Sequence, residues 1–177
     1  EAVAQAVQGG CTLVQLREKD CTSLEFYQQA LRVKAICDAA GVPLIINDRA
    51  DIALAVDAAG VHVGQSDLPC QVARRMLGPD KIVGVSAGTL PEALKAAADG
   101  ADYLGVGAMY ATATKQDADV TTMEELKAIR AAVELPIVII GGVNESTLPR
   151  FAHTGVDGAA VVSAIIAQKD IAAAARR

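Results

Sequence analysis

The fold is decided by a stretch that reads Leu44-Ile45-Ile46-Asn47-Asp48-Arg49 and, after a short Ala-rich segment, Val61-His62-Val63-Gly64-Gln65-Ser66-Asp67. Each part is an apolar run typical of a buried strand, and each ends in polar residues that include a carboxylate. The Ala-rich segment between them predicts a helix. If the two strands are parallel neighbours, Asp48 and Asp67 lie at the same rim of one sheet.

The two carboxylates allow two interpretations. Hard oxygen ligands that converge from adjacent strands suit Mg²⁺ with a phosphate-bearing substrate. Alternatively, Asp48 and Asp67 each cap the helix that follows, as Asp often does. A single Asp would favour the cap, whereas a pair at matching positions favours the metal site.

The same strand–helix unit recurs along the whole chain, with strand centres about 24 residues apart. The predicted strands cover 12–16, 43–46, 61–63, 82–85, 102–106, 137–140 and 159–162, each followed by a helix. The predicted helices cover 2–8, 23–40, 50–58, 69–78, 91–98, 122–133, 146–154 and the residues after 162. Unbroken alternation of this kind predicts one domain over 1–177, with a parallel sheet and helices outside it.

Eight such units would close a (β/α)8 TIM barrel, which is the predicted α/β fold. The helix at 2–8 implies a strand before Glu1, so we expect an N-terminally incomplete barrel whose first strand is missing from this chain. An open seven-stranded sheet would expose two edges, which proteins normally avoid, and this favours the barrel. A doubly wound open sheet is the alternative fold, but no G-x-G-x-x-G motif follows any predicted strand.

Composition narrows the function classes. Of the 177 residues, 52% are hydrophobic but only 3% aromatic, which suits an aliphatic core of helices on parallel strands. A net charge of -5 argues against general nucleic-acid binding. No apolar run approaches the roughly 20 residues that span a bilayer. The cysteines show no C-x-x-C pairing, which is typical of reduced thiols in a cytoplasmic protein; they are Cys11, Cys21, Cys37 and Cys70. The sequence leaves open whether the protein forms a homo-oligomer.

In a barrel, function gathers at the carboxyl ends of the strands. After the first strand, alternation places Gln15, Arg17 and Lys19 on one side, with Leu16 and Glu18 on the other. Polar side chains at an interior rim are costly unless a ligand occupies them, which predicts an anionic ligand. The alternative is a solvated cluster of Arg17, Glu18 and Lys19.

Two polar residues lie on or beside the next strands. Ser86 stands at a strand end, where it either caps the following helix or donates a hydrogen bond to a phosphate. His62 is flanked by valines, which favours a hydrogen-bonded core histidine over a catalytic base.

The longest predicted loop covers 107–121 and is typical of a lid or binding loop. Thr112, Thr114 and Lys115 offer two hydroxyls and an ammonium, which together favour an anion. A flexible polar connection is the alternative interpretation.

The last two strands end in a pattern that predicts a phosphate site. Gly141 and Gly142 follow the seventh strand of the barrel count, and Val162 and Ser163 open the last helix. Barrels commonly bind phosphate here through backbone N–H groups, and glycine permits a close approach. With the carboxylate pair and its cations, this gives two anion sites, one suited to a diphosphate with Mg²⁺ and one to a monophosphate. Such a pair suggests a transferase with diphosphate as the leaving group.

Five motifs together resemble the thiamine-phosphate synthase family. They are Gln15-Leu16-Arg17-Glu18-Lys19, Ile46-Asn47-Asp48-Arg49, Gly60-Val61-His62-Val63-Gly64-Gln65-Ser66-Asp67, Thr112-Ala113-Thr114-Lys115 and Ile140-Gly141-Gly142-Val143. The resemblance implies a (β/α)8 barrel of thiamine biosynthesis. The family joins hydroxymethylpyrimidine diphosphate to hydroxyethylthiazole phosphate by a dissociative mechanism in which diphosphate leaves first.

The resemblance also implies roles for individual residues. It places Mg²⁺ on Asp48 and Asp67. The residues implied to hold the pyrimidine diphosphate are Gln15, Arg17, Glu18, Lys19, Asn47, Ser86 and Lys115, of which Arg17, Lys19, Lys115 and Ser86 would act in catalysis. Those implied to hold the thiazole phosphate are Thr112, Thr114, Gly141, Gly142, Val162 and Ser163.

The chain departs from the family pattern at two positions, and two other functions stay open. Gly88 stands where a His is common, and Ala111 stands where a Pro usually precedes the Thr-x-Thr-Lys run.

One alternative is a thiazole tautomerase-like isomerase, which would need neither the carboxylate pair nor Lys115. The other is a non-catalytic regulatory barrel that only binds phosphates.

Overall fold

The computed structural model describes residues 1–111 and 120–177. Within them, seven strands form one parallel sheet in the order of the chain. They are β1 (Val14–Leu16), β2 (Leu44–Asn47), β3 (Gly60–Val63), β4 (Ile82–Ala87), β5 (Tyr103–Val106), β6 (Ile137–Ile140) and β7 (Gly158–Ala160). A doubly wound sheet reverses its strand order part-way, so the sequential order rejects that alternative.

Helices connect the strands, as right-handed parallel crossovers require. They are α1 (Ala2–Gln8), α2 (Ser23–Ala40), α3 (Ala50–Ala55), α4 (Cys70–Leu77), α5 (Leu90–Ala98), α6 (Met123–Ala132), α7 (Ser163–Ile166) and α8 (Ile171–Arg176). A 3₁₀ helix at Leu148–Phe151 joins β6 to β7. Among the described residues, no helix is long and apolar enough to cross a membrane.

The core lies between the sheet and its helices. Strand alternation gives the sheet one aliphatic face, and that face packs against buried residues such as Phe26, Leu126 and Ile129 of the helices. The strand residues in this layer are Leu16, Leu44, Ile46, Val61, Val63, Val83, Val85, Ala87, Leu104, Val106, Ile137 and Ile139. The aliphatic core predicted from composition is therefore confirmed.

The other face of the sheet is concave, and one long-range contact demonstrates its curvature. The side chain of Gln15 on β1 lies close enough to the hydroxyl of Tyr103 on β5 to lower the pKa of that hydroxyl. In a flat sheet, strands four places apart would lie about 19 Å from each other. The seven strands therefore curl into an incomplete barrel, as expected for this α/β class, with β1 and β7 at its edges. Outside those edges, α1 packs against α7 and α8.

Helix ends show where local chemistry decided the boundary. Thr22 caps α2, because Thr22 and Glu25 form a reciprocal capping box. Thr122 caps α6 and Thr89 caps α5 through their side chains.

Two predicted helices are shorter than expected. The helix predicted at 146–154 is only the 3₁₀ helix, because the Asn144 side chain accepts hydrogen bonds from the backbone of Ser146 and Thr147. Such side-chain bonds compete with helix formation. The predicted C-terminal helix is divided into α7 and α8, where Asp170 caps the second part.

Close packing between β3 and β4 gives a test of the fold. A Cβ at Gly60 would lie 2.0 Å from the backbone oxygen of Ile82, its register partner. Because a backbone atom in a paired strand cannot move aside, we expect Gly60→Ala to lower the free energy of unfolding by about 2 kcal/mol. Thermal unfolding should then shift down by about 5 °C.

The matched control is Gly88→Ala, since the nearest atoms to a Cβ there lie 3.5 Å away. We expect this variant to melt close to the wild type. Equal melting of the Gly60→Ala variant and the wild type would contradict the described β3–β4 pairing.

Candidate functional site

The two carboxylates meet at the rim of the sheet because β2 and β3 are parallel and in register. Asn47 pairs with His62, and the backbone N–H of Asp48 donates to the His62 carbonyl over 2.8 Å. Asp67 follows β3 by four residues and accepts a 2.7 Å hydrogen bond from the backbone of Gly64. The carboxyl groups of Asp48 and Asp67 hydrogen-bond each other.

Neither aspartate caps a helix. Arg49 occupies the N-cap position of α3 and Pro69 that of α4, in both cases without a side-chain cap. Asp48 instead adopts φ +65°, a left-handed conformation that costs a non-glycine residue about 1 kcal/mol. The helix-cap interpretation is therefore wrong for both aspartates, and the metal site stays a prediction.

The charges around the pair are unequal. Burial alone would raise the pKa of Asp48, but the hydrogen bond with Asp67 and the ion pair with Lys19 hold that pKa below its usual value. Arg17 acts in the same direction. Burial and the neighbouring Asp48 raise the pKa of Asp67. Lys19 thus pairs with Asp48, and Asp67 has no cationic partner among the described ion pairs.

The residues after β1 lie beside this pair. Lys19 pairs with Asp48, and Arg17 is exposed on the same side of the chain. Glu18 lies on the opposite side, where its carboxylate accepts a 2.9 Å hydrogen bond from Gln29 of α2. This bond ties the loop to α2. Together these elements border an open cavity of about 500 Å³ whose lining includes Glu18, Lys19, Asp48, Arg49 and Asp67.

Asn47 and Ser86 belong to the concave side of the sheet. Asn47 is the half-buried last residue of β2. The Ser86 hydroxyl lies 2.8 Å from Nε2 of His62, and its backbone oxygen accepts a 2.7 Å hydrogen bond from Gln65. Because Thr89 caps α5, Ser86 is not needed as a cap. His62 is buried and hydrogen-bonded, which confirms the prediction of a core histidine.

The glycine pair after β6 lies at the same rim. Gly141 and Gly142 have φ of +93° and +68°, and a Cβ on Gly142 would lie 2.6 Å from Cβ of Tyr110. Since Ile140 pairs with Ala160, Gly142 and the exposed Val162 each lie two residues past this pair, and the exposed Ser163 follows Val162. The predicted ligands Thr112, Thr114 and Lys115 lie outside the described residues.

Sequence reasoning missed Tyr103 and Gln65. Tyr103 joins the polar side chains inside the barrel, and Gln65 braces the backbone of Ser86. The signal for Tyr103 was the pair of glycines at 84 and 105, which leave space in the interior for its ring and for His62.

The donor set fits Mg²⁺. Within 1–111 and 120–177, no group of three or more His, Cys, Asp and Glu side chains could enclose a metal. Asp48 and Asp67 provide two hard oxygen donors and leave the remaining positions to water and phosphate oxygens. Mg²⁺ is commonly bound in this way, whereas structural zinc needs four protein ligands.

Comparisons with known proteins agree with this geometry. The family model described as thiamine monophosphate synthase matches residues 1–165. A thiamine-phosphate synthase of Clostridium beijerinckii is 62% identical over 99% of this chain and 84% of its own length. A thiamine phosphate pyrophosphorylase from Pyrococcus furiosus superposes with a TM-score of 0.92 at 38% identity, over 99% of this chain and 84% of the other.

A more distant structure shares the fold alone. A 3-hexulose-6-phosphate synthase superposes with a TM-score of 0.70 at 22% identity, over 98% of this chain and 88% of that chain. At this identity the likeness shows a shared fold and no more.

The raised pKa of Asp67 leads to a prediction about the stability of the folded chain. Because folding raises the pKa of Asp67, ionisation of Asp67 at pH 8 opposes folding. Asn keeps an oxygen for the Gly64 N–H but carries no charge. We expect Asp67→Asn to raise the melting temperature at pH 8 with EDTA present, by about 2 °C, measured by calorimetry.

The gain should shrink as the pH falls below about 3.9, the usual pKa of an unfolded Asp, because the carboxyl group then becomes protonated in both the folded and the unfolded chain. Asp38→Asn is the control, since Asp38 pairs only with Lys34 on the surface of α2 among the described ion pairs. A lower melting temperature for Asp67→Asn at pH 8 would refute the described repulsion.

Proposed function

The chain belongs to the thiamine monophosphate synthase family, and on that basis we propose how its site joins hydroxymethylpyrimidine diphosphate to hydroxyethylthiazole phosphate. The chain is a transferase of thiamine biosynthesis, and its products are thiamine phosphate and diphosphate. The observation that carries the residue roles is the contact between Asp48 and Asp67 beside Lys19. The comparisons support neither the isomerase nor the regulatory barrel.

We assign Asp48 and Asp67 to Mg²⁺. Their carboxylates come from adjacent parallel strands, touch each other and are only partly neutralised by Lys19. A bound divalent ion would neutralise charge that develops on the leaving diphosphate.

Cations at the same rim complete the diphosphate site. Lys19 is already held beside the carboxylates, and Arg17 lies two residues earlier on the same side. Lys115 is the third cation of this proposal. Fixed positive charges stabilise a departing diphosphate without having to reorganise as the bond breaks. Glu18 contributes by fixing the loop through Gln29.

Gln15, Asn47 and Ser86 hold the pyrimidine ring in this proposal. All three lie on the concave side of the sheet, next to the diphosphate site. Once the diphosphate leaves, the thiazole nitrogen attacks the pyrimidine methyl cation, so no side-chain nucleophile is required. In this proposal the protein aligns the two substrates and stabilises the charge of the departing diphosphate.

The thiazole phosphate takes the other half of the rim. Gly141 and Gly142 allow a phosphate to approach the backbone, and Val162 and Ser163, at the start of α7 after the neighbouring strand β7, would offer backbone N–H groups to the same phosphate. Thr112 and Thr114 add hydroxyl donors in this proposal.

Location and assembly remain part of the proposal. All four cysteines are free thiols, which supports a cytoplasmic protein. Partners are the small-molecule substrates, with a homo-oligomer as a further possibility and no nucleic acid.

The test is release of diphosphate from the two substrates with Mg²⁺. We expect turnover by the wild type that stops when EDTA removes the metal. Asp48→Ala should lower kcat/KM by at least about 100-fold, since it removes a metal ligand, while the melting temperature changes by only a few degrees.

Asp38→Ala is the matched control, because it removes a carboxylate from the surface of α2. It should retain wild-type turnover. A wild type that releases no diphosphate would refute the proposed function. Losses of activity in Asp48→Ala that merely track a loss of folded protein would refute the metal role.

A further inference from the structure

The backbone turn that carries Asp48 is held by two hydrogen bonds. The N–H of Asp48 donates to the carbonyl of His62 on β3 over 2.8 Å, and the N–H of Arg49 donates to the carbonyl of Asn47 over 2.8 Å. The second bond spans only three residues, so it closes a γ-turn with Asp48 at its centre. With φ +65°, Asp48 has a strained conformation that a non-glycine residue keeps only where its surroundings fix it.

The side chain of Arg49 has two partners, which lie on different helices. Its Nε donates to Oδ1 of Asp51 over 2.9 Å, and its Nη2 donates to Oδ2 of the same carboxylate over 2.7 Å. Two parallel bonds of this kind fix the plane of the guanidinium as well as its position. Nη2 also donates to Oγ of Ser23, the first residue of α2, over 3.0 Å. Arg49 therefore joins the first turn of α3 to the first turn of α2.

Ser23 is a firm point of attachment, because the first turn of α2 is itself fixed. Thr22 and Glu25 form the capping box of this helix through bonds of 2.8 Å and 3.3 Å. Phe26, one turn after Ser23, is only 1% exposed and belongs to the core. The bond to Ser23 thus ties Arg49 to a part of α2 that is packed against the sheet.

The effect of these contacts is local. The side chains of Arg49 and Asp51 are 36% and 59% exposed, and exposed ion pairs contribute little to the stability of a whole domain. Arg49 is, however, the residue whose N–H closes the γ-turn. Because its side chain is fixed by three hydrogen bonds, its backbone is held as well, and with it the direction in which Asp48 presents its carboxylate.

We propose that Arg49, held by Asp51 and Ser23, is a positioning residue that keeps the γ-turn in the conformation in which Asp48 binds the metal. The metal role of Asp48 rests on the proposed function, whereas the contacts of Arg49 do not. Arg49 also lines the cavity beside the carboxylates, but its Nε and Nη2 are already engaged by Asp51 and Ser23. It acts through Asp48 and needs no contact with the substrate.

Binding of Mn²⁺ alone, followed by the EPR signal of the free ion, tests this role without substrate. We expect Arg49→Lys to weaken binding about 10-fold, as the loss of an outer-shell partner does in other metal sites. Lysine keeps the positive charge but lacks the planar fork that bonds Asp51 twice and reaches Ser23. Arg49→Gln should weaken binding as well, although the removal of a nearby cation would by charge alone tighten it.

Arg32→Lys is the matched control, since Arg32 lies on the exposed surface of α2 outside these contacts. It should bind Mn²⁺ as the wild type does. Wild-type affinity in Arg49→Lys, or tighter binding in Arg49→Gln, would overturn the inference and leave the metal role of Asp48 intact. A wild type that binds no Mn²⁺ would refute that metal role and the inference with it.

A double-mutant cycle tests whether Arg49 acts through Asp51. Asp51→Asn removes the bidentate carboxylate, so we expect it to weaken Mn²⁺ binding too. Adding it to Arg49→Lys should cause little further loss, because both changes remove the same contact. Additive losses would mean that the two residues act independently, which would overturn the inference.

The reaction itself offers a further readout, because a misplaced metal ligand is compensated by more metal. We expect Arg49→Lys to lower turnover about 10-fold at low Mg²⁺ and to recover at saturating Mg²⁺, with KM for the thiazole phosphate unchanged. Its melting temperature should stay within a few degrees of the wild type, as expected for an exposed ion pair. A loss that persists at saturating Mg²⁺ would indicate a direct contact with the diphosphate and would overturn the inference.

Discussion

The contact between the carboxylates of Asp48 and Asp67 is the interaction on which the site depends. Two like charges meet because β2 and β3 are parallel and because Asp48 takes a left-handed backbone conformation. Lys19 pairs with Asp48, whereas burial and the neighbouring Asp48 raise the pKa of Asp67. Two carboxyl groups held this close repel each other unless a cation lies between them, which is why we propose Mg²⁺ at this rim.

The two faces of the sheet have different roles: one packs the core, and the other carries the polar residues of the proposed site. The convex face carries the aliphatic layer that packs against the helices. The concave face carries polar residues, and its glycines at 84 and 105 leave space for the rings of Tyr103 and His62. Gln15 of β1 and Tyr103 of β5 lie close together on this face, which shows the curvature of the sheet. The hydrogen bonds of His62 with Tyr103 and Ser86 connect three neighbouring strands on the same face.

The fold could be predicted from the sequence because the regular spacing of the strands and the polar residues at their ends are visible in the local pattern of apolar and polar residues. The parallel pairing that brings Asp48 to Asp67 follows directly from that pattern. The 3₁₀ helix at Leu148–Phe151 did not follow, since side-chain bonds from Asn144 compete with the helix there. Tyr103 was also missed, because its hydrogen-bond partner His62 is 41 residues away in the chain and two strands away in the sheet. Long-range contacts of this kind leave little trace in a single sequence.

The most direct measurement of the central claim is binding of Mn²⁺, as a paramagnetic substitute for Mg²⁺, followed by water-proton relaxation in the presence of inorganic diphosphate. The account predicts a relaxation enhancement with the wild type, from one protein-bound ion held by Asp48, Asp67 and the diphosphate. It predicts loss of that enhancement in both Asp48→Asn and Asp67→Asn. Undiminished enhancement in both variants would contradict the account, because the carboxylate pair would then not be the metal site.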